Sequence, residues 1–136
     1  MITVVAALIH DDGKLLVCQR SRGTSFAMMW EFPGGKVKPG ESRERALERE
    51  LEEELGTVAT IGSEVYRTQH RYPELGEPIE LIFFNAHIDP TKVRNLVFER
   101  VDWRVASALP ELNFLPADKE LIEKLASGAL VSGDGK

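Results

Sequence analysis

Cysteine is almost missing from this chain. Cys18 is the only one, so no internal disulfide can form and a reducing compartment is the natural setting. It falls in an apolar, strand-like stretch, which reads as buried filler and not as a reactive thiol. Histidine is nearly as scarce: His10, His70 and His87 are scattered without ligand spacing and read as structural or surface groups, with His70 also a candidate to line a cleft. No apolar run reaches membrane length, and no basic segment precedes an apolar core and cleavage site at the start; the expected location is the cytoplasm. Basic charge is in deficit too, with 17 Lys and Arg against 22 Asp and Glu for a net charge of −5. A nucleic-acid polymer calls for a basic stripe, so such a partner is excluded. Repeats, low-complexity tracts and linkers are absent. What remains is an ordinary globular composition, 43% apolar and 29% charged over 136 residues. That is enough for one domain with its own core, expected over 1–131, with 132–136 a frayed tail.

The acidity is local. Residues 41–54 hold seven glutamates against three arginines and alone supply −4 of the net charge. The pattern predicts a helix: Ser42 is a fitting N-cap, Ala46, Leu47, Leu51 and Leu55 form an apolar stripe, and Gly56 suits a left-handed C-terminal cap. On it, Glu50, Glu53 and Glu54 stand at i, i+3 and i+4 and share one face. Their charges repel, and Arg49, within reach of Glu53 at i+4, cannot offset all three. Glu/Arg-rich helices are commonly just solvated faces. Here a divalent cation is the better compensator, because clustered hard oxygens with room for water suit Mg²⁺. Just upstream, Pro33-Gly34-Gly35 makes a turn whose backbone can approach a ligand without a Cβ in the way.

Taken together, Gly35, Glu41, Arg49, Glu50, Leu51, Glu53, Glu54 and Gly56 resemble the Nudix box of hydrolases that cleave nucleoside diphosphates linked to another group. Only the last slot departs, with Thr57 where the family usually has a bulky aliphatic residue; that slot packs the next strand, so the departure touches stability more than chemistry. The resemblance implies a Gly34 carbonyl that ligates metal, Glu50 and Glu54 as central carboxylates with Glu53 beside them, Arg49 orienting Glu50, and Glu41 reaching toward the same site. Mg²⁺ is the implied cofactor, with Mn²⁺ able to substitute. Glu99 lies near the place where many members supply a distal carboxylate, although closer to Trp103 than usual; Glu74 and Glu77 are alternatives.

Further stretches are similar to MutT-type members. Arg20, at a strand end, matches an arginine used on substrate phosphates, a task that suits a guanidinium fork. Trp30-Glu31-Phe32-Pro33-Gly34-Gly35-Lys36 resembles the entry to the box, which places Glu31, Phe32, Pro33, Gly34 and Lys36 along the substrate, Phe32 lining the base pocket and Trp30 in the core or stacked on the ligand. Phe114-Leu115-Pro116-Ala117-Asp118 resembles the corner that reads the base. Asp118 stands where the best-known bacterial member has Asn, and members resembling cytidine triphosphate pyrophosphohydrolases carry Asp. A carboxylate only accepts hydrogen bonds, so it could take guanine N–H groups or the exocyclic amine of cytosine; it could equally be a plain helix-start acid.

The remaining elements read as a strand pair at Thr3–Ile9 and Lys14–Arg20, a loop at 21–29, a long strand at 58–71 interrupted near Gly62, a loop at 72–78, strands at 79–88 and 98–103, a short turn at 105–109 and a helix at 116–127. The fold implied is the α/β Nudix α/β/α sandwich around a mixed sheet. The implied activity is an Mg²⁺-dependent nucleoside triphosphate pyrophosphohydrolase, with 8-oxo-dGTP and nucleotide-pool sanitation (a DNA-repair role) as the leading expectation. CTP or a modified dCTP is the alternative. Dinucleoside polyphosphates, to which Tyr72 points, ADP-sugars and a non-catalytic nucleotide sensor stand behind them. The partner is a small nucleotide, and the chain a monomer or homodimer.

Overall fold

The computed structural model describes residues 1–130; the tail expected at 132–136 lies outside the described residues. At the centre is β1 (Ile2–Asp11). Its side chains alternate between faces, as the two-residue period of a strand requires. Val5, Ala7 and Ile9 pack with Leu47, Leu51 and Leu55 of α1 (Arg43–Leu55). Ala6 and Leu8 pack with Leu121, Ile122 and Leu125 of α2 (Lys119–Ser127). The helices therefore cover opposite faces, the α/β/α sandwich that the sequence implies.

The sheet runs β3 (Trp30–Glu31), β2 (Lys14–Gln19), β1, β6 (Ile79–His87), β5 (Thr60–His70), with β4 (Gly34–Lys36) also on β1 and β7 (Arg100–Arg104) also on β2. β1 and β6 are parallel, Ile2 opposite Ile79 and Ile9 opposite Ala86; among the described residues the other pairs of named strands are antiparallel, so the sheet is mixed. Among the described residues no helix is long and apolar enough to cross a membrane.

α1 begins and ends where its caps dictate. Ser42 Oγ accepts the Arg45 N–H at 3.1 Å, and Gly56 turns left-handed at φ 67° while its N–H bonds to the Glu52 carbonyl. Thr57 follows as a buried residue, 6% exposed. The interruption near Gly62 is a pair of register shifts between Ile61 and Tyr66. Three local differences from the sequence reading have physical reasons. β3 and β4 are too short to show alternation and exist because β2 and β1 offer them partners. β7 starts at Arg100 and not at Phe98, because the Asn95 side chain accepts the Phe98 N–H at 2.8 Å and donates to its carbonyl at 2.9 Å, folding that residue into a turn. The last helix opens with a tight 3₁₀ turn at Pro116–Asp118.

Candidate active site

β4 brings Gly34 and Gly35 between β1 and α1. A Cβ on Gly34 would run into the Val5 carbonyl, and one on Gly35 into the Glu50 carboxylate, so the turn's glycines are required by close approach. Glu54 accepts the Gly34 N–H at 3.2 Å. Arg49 organises the rest of the helix face. Its Nε and Nη2 hold Glu41 at 2.6 and 2.9 Å, its Nη1 reaches Glu50 at 2.9 Å and Glu53 at 3.5 Å, and Nη2 also donates to the Lys36 carbonyl at 3.1 Å. The fork on Glu41, helped by the Lys38 N–H, pulls that carboxyl down to about 2. Glu54 moves the other way, up to about 9. Burial is the main cause, followed by the charges of Glu31, Glu50 and Glu53, against a small opposing effect of the Gly34 N–H. A buried carboxylate crowded by others wants a cation.

A hard divalent cation fits this donor set. The oxygens are hard, the Glu50 carboxylate lies directly against Gly35, and a single guanidinium, that of Arg49, is shared among Glu41, Glu50 and Glu53. Among the described residues no three His, Cys, Asp or Glu side chains converge tightly enough to enclose an ion by themselves.

Away from the helix the cleft, about 330 Å³, runs from Glu54 past Arg20 and Glu31 to Asp118. Arg20 Nη1 bonds both Glu31 oxygens at 3.3 and 3.2 Å, and its Nε donates to the Ser25 carbonyl. Burial raises the Glu31 carboxyl against the pull of Arg20. A smaller hollow continues from the same three charged residues toward Thr24 and Val97. At the far end Asp118, the N-cap residue of α2, is 3% exposed and its side chain makes no capping hydrogen bond. Burial, then the Glu31 charge, pushes its carboxyl well above the usual range. The wall between is apolar. Phe32 packs edge-on to Phe83 and tilted against Phe114, and Phe26, Leu81 and Leu115 complete it.

Of the residues singled out in the sequence, the structure brings Arg20, Glu31, Phe32, Gly34, Lys36, Glu54 and Asp118 to this cleft. Pro33 is buried behind it, its carbonyl accepting the Ala7 N–H. Glu50 and Glu53 stand beside it on α1, Glu53 with a side chain 55% exposed. Glu99 is not brought in. It faces Arg22 at 3.8 Å. Glu77 is spent on the N-terminal amine at 2.9 Å. Trp30 is core, 5% exposed, with the guanidinium groups of Arg100 and Arg104 over its ring. Cys18 is buried filler, as read. A second hollow of about 400 Å³ between Leu112 and Ile122 touches Phe114 but none of the charged residues singled out in the sequence. Sequence reasoning missed Phe26 as a wall residue; the signal was a lone aromatic in a run of small and polar residues.

A model of the NUDIX domain matches residues 1–125. The 8-oxo-dGTP diphosphatase of Haemophilus influenzae is 38% identical over 127 residues, covering 92% of this chain and 91% of that protein. The CTP pyrophosphohydrolase of Escherichia coli is 51% identical over 81 residues, covering 60% of this chain and 58% of that one, less than two thirds of its length. Among solved structures, the MutT Nudix hydrolase from Burkholderia pseudomallei matches with a TM-score of 0.78 at 29% identity, over 90% of this chain and 95% of that one.

Proposed function

The chain belongs to the Nudix family, hydrolases of phosphoanhydride bonds, and from that premise we propose that it is an Mg²⁺-dependent nucleoside triphosphate pyrophosphohydrolase releasing monophosphate and pyrophosphate, with 8-oxo-dGTP the leading substrate. The observation that carries this reading is the continuity of the cleft: a crowded carboxylate end, an arginine in the middle and a buried acid at the end of an apolar wall, all in one cavity. Phosphates, sugar and base have that same order of chemistry. Nudix hydrolases need a divalent metal; Gly34, Glu50, Glu53 and Glu54 would hold it here. When bound, the ion supplies positive charge for phosphoryl oxygens and acidifies water.

The chain's own groups do the rest. Arg49 fixes Glu50 and Glu41 through a planar fork that lysine cannot reproduce. Glu50 or Glu53 receives the proton of the attacking water. Arg20 meets the phosphates, pre-aimed by Glu31. Phe32 and its neighbours exclude water along the base, and Asp118 accepts N–H groups from the base edge. The domain over 1–131 acts alone on a small nucleotide, as monomer or homodimer.

A second reading, CTP or a modified dCTP, is favoured by the 51% identity with the E. coli CTP enzyme and by a carboxylate at Asp118, which suits an exocyclic amine. Pyrophosphate release from a nucleotide panel, with Mg²⁺ and with chelator, tests both. Metal-dependent turnover with one preferred base is expected; no turnover of any nucleotide with Mg²⁺ would leave only a ligand sensor.

A further inference from the structure

One buried polar group in the cleft has no task in the mechanism above: the hydroxyl of Tyr72. Tyr72 is 6% exposed and lines the cavity beside Ala117 and Asp118. Its oxygen accepts the Ala117 N–H at 3.0 Å, which pins the phenol tip to the start of the last helix. A phenol also carries a donor, and among the described residues no acceptor takes that proton. The ring is flanked by Phe26 and His70, centroids 4.9 and 4.4 Å away. What it offers a ligand is therefore its hydroxyl end and not an open face.

We propose that Tyr72 is a specificity-determining residue that reads the base, its hydroxyl donating to a carbonyl or ring-nitrogen acceptor beside the N–H group that Asp118 takes. The inference rests on the nucleotide reading of the cleft. A fixed donor next to a carboxylate complements an edge where an acceptor adjoins an N–H. Guanine has this at O6 and N1–H, and cytosine at N3 and the exocyclic amine. A base acceptor in the cavity would take the proton that no protein group among the described residues takes. The rival explanation is that the hydroxyl serves only Ala117, as a structural pin.

The experiment compares wild type with Tyr72→Phe on ligand pairs that differ in the acceptor alone: guanosine against 6-thioguanosine, whose sulfur accepts weakly, and cytidine against 3-deazacytidine, which lacks the ring nitrogen. Monophosphates are used for Kd by calorimetry, so binding is read without turnover, and triphosphates for KM and kcat. One net hydrogen bond predicts that wild type prefers the intact base of at least one pair by about three- to tenfold. Tyr72→Phe should abolish that preference, chiefly through Kd and KM, with kcat little moved. A uniform loss across all ligands, or a preference that survives the substitution, overturns the proposal in favour of the pin. A wild type indifferent to both acceptor changes overturns it without any variant. If wild type hydrolyses no nucleotide, the enzymatic reading fails while the binding comparison still decides Tyr72.

Discussion

The two ends of the cleft are built differently. The carboxylate end is made by contacts that are short in sequence. Arg49 reaches back eight residues to Glu41, and Glu54 reaches back twenty to Gly34. The base end is assembled from three loops far apart, with Phe26, Tyr72 and Ala117 meeting through one ring contact and one hydrogen bond that spans 45 residues. One end is charged and partly open, the other apolar and closed. On the proposed reading, the machinery for breaking the anhydride would rest on local spacing and the choice of base on where distant loops meet.

If the ends are separable, changes at one should leave the other's readout alone. The largest effect is expected from Glu54→Gln. Losing a charged ligand for the metal should lower kcat by about 100- to 1000-fold, since several kcal/mol of transition-state stabilisation go with it, while the order of preferred bases stays put. Wild-type activity at limiting Mg²⁺ would remove Glu54 from the metal site. The same variant has a pH signature in metal-free protein. Folded Glu54 holds its proton to about 9, against an ordinary 4.5. The folded state thus binds the extra proton, and this stabilisation is full below about 4.5 and lost as pH rises toward 9. Melting curves should show that decline in the wild type and lack it in Glu54→Gln, whose stability near neutral pH should be level or higher.

Next comes a pair of alanines. Gly35→Ala must displace the flexible Glu50 carboxylate, and misplacing a catalytic group by about 1 Å costs on the order of 100-fold in rate, so turnover should fall while the melting point holds. Gly34→Ala collides with the backbone of β1 and should lower the melting point as well. Equal melting points for the two would contradict the close approach of β4 to β1.

At the other end, Asp118→Asn should move base discrimination by about one to two powers of ten, because it turns a buried acceptor into a partial donor at a cost of roughly 1–3 kcal/mol, with kcat on the preferred base nearly unchanged. Asp118→Ala should weaken all bases and sharpen none. If both keep the wild-type order, the division of labour between the ends is wrong. The smallest effect is Ser42→Ala, which should cost about 1 kcal/mol of stability by denaturant unfolding and leave base preference untouched.

The same contrast explains what was legible in the sequence. α1 could be bounded from Ser42 to Gly56 because caps and an apolar stripe are local signals, and the grouping of Glu41, Arg49 and Glu50 was implied by the resemblance of their spacing to the Nudix box. The continuous apolar run of β1 marked a strand buried on both faces, while which of its residues meet each helix shows only in the packing. That Arg20 would be held by Glu31 could not be read, because β2 and β3 must first pair, Gln19 opposite Trp30. Nor could the burial of Asp118, since an acid opening a helix is usually solvated and only the packing of the 3₁₀ turn at Pro116 shuts it in. The start of β7 could not be read either, since it is set by the Asn95 turn, a side-chain device.

β1 is the hub of both helix faces, yet its parallel neighbour lies 77 positions downstream, Ile2 opposite Ile79. Parallel pairing at that separation makes loop closure expensive and the search slow. During synthesis the first strand must therefore wait, with one edge unpaired, until most of the chain has emerged. Refolding should be limited by this closure, so that substitutions at the Ala6–Phe83 pairing slow folding more than those within α1. Residues from β1 and β6 both line the cleft, so a nucleotide site comes into being only at the end of folding, and a truncated chain never presents one.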